Sequence, residues 1–247
     1  MALRGDTRFF GLDLAWADHN PSGACVLDGR GSVLDERTLH SDGDIVDWVV
    51  DHLNGPGVIA ADIPLQVPNA ESARACDRAL TSRYAARWAG PHPANRNIFT
   101  RRYGRVRGED IDRQLGKLGF AGPWNHGERT LIEVYPHPGL VEVFGLDRRL
   151  AYKKGTLAQR AAGLRRLRSL LDTLAADDPP LRGPRIRIPR RASGRELKAI
   201  EDRLDARFCA WTAAMWSRWG SKRVCLFGDP EGGHIAVPLA ASGGERE

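Results

Sequence analysis

The sequence predicts an α/β protein: a mixed sheet in which a three-strand antiparallel meander feeds parallel strands, with helices on both faces and one insertion. Three observations predict it. Short apolar runs recur along the chain, three of them with a single acid near the end. Stripes of helical period opened by capping boxes lie between the later runs, and the first three runs follow one another too closely for crossover helices.

Phe9-Phe10-Gly11-Leu12-Asp13-Leu14-Ala15-Trp16 has the pattern of a strand buried on both faces, with Asp13 a lone acid inside it. A buried carboxylate is costly without partners, so Asp13 either caps the following turn or serves chemistry. Ser22–Leu27, the turn Asp28-Gly29-Arg30-Gly31 and Ser32 to Leu39 complete the meander. Ser41 and Asp44 open a helix carrying Ile45, Trp48, Val49 and Leu53, which Asn54-Gly55-Pro56-Gly57 stops. Val58–Ile63 is a second buried run, with Asp62 just before Pro64.

Ala70 to Trp88 reads as a helix with Ala73, Cys76, Leu80 and Tyr84 on one side, and the arginine-rich stretch beyond Gly90-Pro91-His92-Pro93 has weak periodicity. Residues 69–128 therefore read as an insertion within one domain over 1–247. Thr130–Tyr135 is the third run, with Glu133 as its acid and Pro136-His137-Pro138 as its end. Thr156 and Gln159 open a helix with Leu157, Ala161, Leu164, Leu167, Leu171 and Leu174 on one face and Arg160, Arg165, Arg166 and Arg168 on a solvated one. Ser193 and Glu196 open the last long helix, striped by Leu197, Ile200, Leu204, Phe208, Trp211 and Met215. Asp205 sits at the edge of that stripe, about 100° from Leu204, with Glu201 and Asp202 on the same flank. Arg223–Phe227 and a short Ile235–Val237 end the pattern.

With 247 residues, 42% of them hydrophobic, the chain can bury a full core. It holds no apolar run of membrane-spanning length, and Met1-Ala2-Leu3-Arg4-Gly5-Asp6 lacks a signal core, so the expectation is neither membrane span nor export, and the cytoplasm. Cys25, Cys76, Cys209 and Cys225 are far apart, which suits reduced, packed thiols better than a zinc site or disulfides. The net charge of +6 comes from 37 basic residues, only five of them lysine. A GC-rich genome explains an arginine excess as well as phosphate binding does. Two clusters are candidates for nucleic acid: Arg101, Arg102 and Arg105 around Tyr103, and Arg187, Arg190 and Arg191 among prolines, both in segments that read as loops.

Sheets of this kind place chemistry at the C-terminal ends of their strands. If Asp13, Asp62 and Asp205 converge there, with Asp202 and Glu133 near, the like charges require a cation. Oxygen-only ligands point to Mg²⁺ or Mn²⁺, and two such ions about 4 Å apart drive in-line attack of water on phosphodiesters.

The segments Gly11–Trp16, Ala61–Leu65, Arg74–Asp77, Glu133–Pro138 and Leu204–Ala206 resemble the successive motifs of a bacterial and archaeal family of unknown function, described as predicted nucleases with a ribonuclease-H-like fold. The likeness runs from about residue 8 to 239. It implies that Asp13, on the first strand, bridges two metals, with Asp62 and Asp205, joined by Asp202, completing the ligands. It leaves Glu133 as a fourth ligand, a hydrogen-bond partner or a structural acid, and His137 as a proton carrier or a turn residue. Arg74 and Asp77 are expected to pair across one helical turn. Asp202-x-x-Asp205 is more distantly similar to the paired acids of Holliday-junction resolvases, which act as dimers, so a homodimer stays open. Two other readings stand beside the nuclease: a non-catalytic nucleic-acid binder, favoured if the acids are scattered or paired with arginine, and an actin-like or sugar-kinase-type ATP-dependent phosphotransferase, for which the chain looks too short.

Overall fold

The computed structural model describes residues 5–17, 19–125 and 127–240. Met1–Arg4, four of the six residues read as lacking a signal core, lie outside the described residues. Among those described, no helix is long and apolar enough to cross a membrane.

Alternating apolar strands that can bury both faces build a five-stranded sheet in the order β3-β2-β1-β4-β5. Its strands are β1 (Arg8–Asp13), β2 (Ser22–Leu27), β3 (Val33–Leu39), β4 (Gly57–Asp62) and β5 (Arg129–Glu133). β1, β2 and β3 form the antiparallel meander, while β4 runs parallel to both β1 and β5. This is the mixed sheet expected.

Strand period 2 sorts the side chains between two cores. Phe9, Cys25, Leu27, Val58, Ala60 and Ile132 face α5 (Pro136–Val143), α6 (Leu157–Thr173) and α7 (Gly194–Trp219). Phe10, Leu12, Ala24, Ile59, Ala61 and Leu131 face α1 (Asp42–His52) and α4 (Arg107–Gly116). Helices therefore cover both faces.

α7 lies directly on β1, β2 and β4, and two glycines permit that approach. A Cβ at Gly11 would stand 2.0 Å from the Ala206 carbonyl oxygen, and one at Gly23 would stand 2.1 Å from that of Asp202. No side chain fits at either place. Glu36 of β3, paired with Arg203 and with Arg207 (2.5 Å), fixes the helix from the other edge.

Several elements differ from expectation. The helix expected over 70–88 is α2 (Ala75–Tyr84), followed by a 3₁₀ turn, Ala85–Arg87. The arginine-rich stretch is not a loop: it forms α3 (Arg96–Tyr103) and the start of α4. Asn95 caps α3, accepting from the Ile98 N–H at 2.9 Å, and Gly104 closes it at φ 77°. Only Phe99 of α3 is buried, so its sequence shows no helical stripe. Pro136-His137-Pro138 does not merely end β5; it begins α5, where the first-turn proline lacks only an N–H that would go unused.

The C-terminal strands β6 (Val224–Asp229) and β7 (Gly233–Pro238) pair as a separate two-stranded sheet, which meets the main one through a bridge from Val134 to Ala236. The α6 arginines are not simply solvated: Arg165 and Arg168 donate to the Pro189 and Ile186 carbonyls and hold the Pro-rich segment down. All four cysteines are free thiols, with Cys25, Cys76 and Cys209 buried.

Candidate functional site

Register brings the first two acids together. Asp13 and Asp62 are direct neighbours at the C-terminal ends of the parallel strands β1 and β4. Both follow residues of the α7-facing phase, Gly11 and Ala60, by two positions. Asp205 and Asp202, a turn apart on α7, come down onto the same region because the two glycines let the helix settle there. Asp13 is 8% exposed, Asp202 2% and Asp205 not at all.

Glu133 stands apart. It pairs in register with Ala61, a residue of the opposite core, so its carboxylate leaves the sheet on the other face. There it accepts from Arg74 Nη2 at 2.6 Å, Arg74 Nη1 at 2.8 Å and the Leu65 N–H at 2.9 Å. Arg74 also binds Asp77 at 2.8 Å, the expected helical pair, and the guanidinium is thus enclosed between two acids. Burial disfavours its charge, but Glu133 and Asp77 more than compensate and raise its pKa.

Two lysines enter the Asp13 cluster. Lys153 Nζ lies 2.8 Å from Asp205 Oδ2, close in charge yet not aligned as a hydrogen bond, and the Tyr152 hydroxyl donates to Asp205 Oδ1 at 2.8 Å. Lys198 binds Asp202 at 2.5 Å and Glu201 at 2.9 Å. Burial raises the Asp13 carboxyl, with Asp205 adding to the effect and the lysines opposing it. Burial and then Asp13 push Asp62 well up. Asp202 rises to about 8, through burial first and Asp13 second. Asp13 and Asp202 thus influence each other's ionisation, and the two titrate as a pair.

Asp13 and Asp62 line a cavity of about 450 Å³. Its walls include Trp88, Tyr135, His137, Arg148, Arg149 and Lys153. A bond from the Arg149 N–H to the Arg87 carbonyl, 2.9 Å, joins the basic wall to the turn that carries Trp88. Burial, with Lys153 nearby, lowers His137 to about 3, so its imidazole is neutral at physiological pH and its buried Nδ1 has no hydrogen-bond partner.

The donor set fits a hard cation in chemistry. Asp13 Oδ2, Asp202 Oδ2 and Asp205 Oδ2 are buried and receive no hydrogen bond. In geometry it is not a finished cage: among the described residues, no three His, Cys, Asp or Glu side chains stand close enough together to hold an ion. The Lys153 ammonium supplies positive charge to the cluster instead.

The six candidate arginines lie elsewhere. Arg101 and Arg102 are exposed on α3, and Arg105 is paired at 2.6 Å with both Asp42 and Asp110. Arg190 and Arg191 line a separate groove beside Leu157 and Arg165, and Arg187 is exposed between the buried Ile186 and Ile188. The basic groups at the cavity are residues that sequence reasoning passed over: Arg148, Arg149, Lys153 and Lys154. Their signal is present in Arg148-Arg149-Leu150-Ala151-Tyr152-Lys153-Lys154, where Leu150 and Tyr152 anchor a segment outside any helix or strand.

No curated protein and no solved structure matches this chain. A family model does match, over residues 11–232, a span that takes in Asp13, Asp62, Glu133, Asp202 and Asp205. The chain belongs to the family described as "Protein of unknown function (DUF429)".

Proposed function

We propose that the protein is a divalent-metal-dependent nuclease of ribonuclease-H-like type, hydrolysing phosphodiester bonds at the Asp13 cluster. The observation that carries this reading is the set of buried oxygens on Asp13, Asp202 and Asp205 that receive no hydrogen bond, beside an Asp62 that burial and Asp13 hold toward protonation. A protein has little reason to collect four acids on one side of a sheet unless a cation or a developing positive charge uses them.

Asp13, Asp62 and Asp205, joined by Asp202, would hold Mg²⁺ or Mn²⁺, which when bound supplies charge neutralisation and a more acidic water. Lys153, whose side chain is 30% exposed, leaves Asp205 and turns to a substrate phosphate in the cavity. Neutral His137 and Tyr135 line the cavity. Glu133 holds the architecture through Arg74 and takes no part in the chemistry.

Calorimetric titration with Mn²⁺ and Mg²⁺, paired with cleavage of labelled oligonucleotides, tests this. Asp13→Asn should abolish ion binding and cleavage while melting at or above the wild-type temperature in EDTA, since a like charge is removed. A wild-type protein that binds neither ion would overturn the reading. That outcome would favour a nucleic-acid binder in which Lys153 and Lys198 neutralise the acids permanently, a second reading supported by the ion pairs and the unfinished cage.

A further inference from the structure

Resting on the nuclease reading of the Asp13 cluster, we propose that the substrate is an unpaired nucleic-acid strand, threaded through a trough that runs from Trp88, over Asp13 and Asp62, to Trp16 and Tyr103. The first argument is access. Asp13 and Asp62 line a recessed cavity, with Asp13 only 8% exposed. Duplex DNA is stiff over tens of base pairs and carries its phosphates on a convex surface, so it enters such a recess less readily than an unpaired strand does. An unpaired strand bends into it.

The second argument is the aromatic track. Trp88 is 60% exposed at the cavity lip, and its backbone is left-handed at φ 58°. The left-handed residue closes the 3₁₀ turn, its N–H donating to the Ala85 carbonyl, where a bulky side chain is uncommon, and a ring this exposed gains little from burial. The Arg148 guanidinium lies 4.8 Å from the centre of its ring. At the far end Trp16 lines both this cavity and an adjoining groove of about 360 Å³ that Tyr103 also lines, so the two spaces meet at one indole. The Trp16 and Tyr103 rings are edge to face, with centroids 6.0 Å apart.

The third argument is charge. Arg148, Arg149 and Lys154 line the same cavity as Trp88, where they can follow a phosphate backbone while the rings accept bases of any sequence. Stacking platforms interleaved with cations are the recognition mode of single strands.

Fluorescence anisotropy of a labelled oligothymidylate and of a duplex of equal length, measured in EDTA so that nothing is cleaved, tests the proposal. The single strand should bind more tightly. Trp88→Ala should weaken it by about fivefold or more, the loss of one stacked base, and Trp88→Phe should keep most of the affinity. Replacing Arg148 and Lys154 by glutamine should reduce the magnitude of the salt slope by about one unit or slightly more. Duplex binding as tight as single-strand binding, unchanged affinity in Trp88→Ala, or no binding at low salt would each overturn it.

The two readings fail separately. Trp88-dependent binding without Mn²⁺-dependent cleavage refutes the nuclease and leaves the trough. Asp13-dependent cleavage of duplex that ignores Trp88 refutes the trough and leaves the nuclease.

Discussion

Replacing Glu133 by glutamine separates architecture from chemistry among the acids. Glu133 accepts two hydrogen bonds from Arg74 and one from the Leu65 amide, all inside the protein. The glutamine amide keeps the volume but presents one NH₂ group to these donors and removes the charge opposite the guanidinium. Removing one partner of a buried ion pair costs about 3–5 kcal/mol. Asp77 still binds Arg74 at 2.8 Å, which points to the lower end, about 3 kcal/mol. At roughly 2–4 °C per kcal/mol for a chain of this size, the melting temperature should fall by roughly 6–12 °C. Thermal melting in EDTA measures this, and Mn²⁺ titration below the transition measures ligation. The expected result is a destabilised protein with unchanged Mn²⁺ affinity. A variant that melts like wild type but loses Mn²⁺ would make Glu133 a ligand and refute the reasoning from strand parity.

In the metal-free protein, stability should fall as pH rises from 7 to 8.5. The Asp202 carboxyl is raised to about 8 when folded, so the folded state binds more protons between the unfolded and folded values, and that advantage disappears as pH passes through 8. The loss is about 1 kcal/mol, or roughly 2–4 °C. Lys198, Glu201 and Asp13 face this group, while His137 and His234, depressed to about 3 and about 4, act in the opposite direction mainly below pH 7. Asp202→Asn should flatten the dependence relative to wild type in paired melting curves, and an equal fall in both proteins would assign it to other groups. Lys153→Met should lower the melting temperature in EDTA by stranding the buried Asp205, and Mn²⁺ should restore it if the cluster accepts a cation. Failure of Mn²⁺ to rescue the variant would make Lys153 the permanent counter-charge.

The sequence by itself determined the alternation of strands and helices, the meander, both faces of cover and the acids worth watching. Apolar runs of strand length and capping boxes such as Ser193 with Glu196 are local signals that tertiary contacts did not override. Arg74 with Asp77 was legible for the same reason, being one helical turn apart. α3 was not legible, because it buries a single residue and leaves no period to read. Pro136 misled because a proline that stops a strand also starts a helix.

Only the tertiary structure decided which acids share a site. Asp13, Asp62 and Glu133 look equivalent in sequence, each an acid near the end of an apolar run, yet registry makes Asp62 the neighbour of Asp13 and sets Glu133 one residue out of phase. With period 2, one residue is the whole thickness of the sheet. The place of Lys153 was hidden likewise, since nothing within residues 145–156 specifies that they fold over the ends of β1 and β4. That packing follows from the burial of Leu150 and Tyr152 against α6 and α7, a contact between distant parts of the chain that no local pattern encodes.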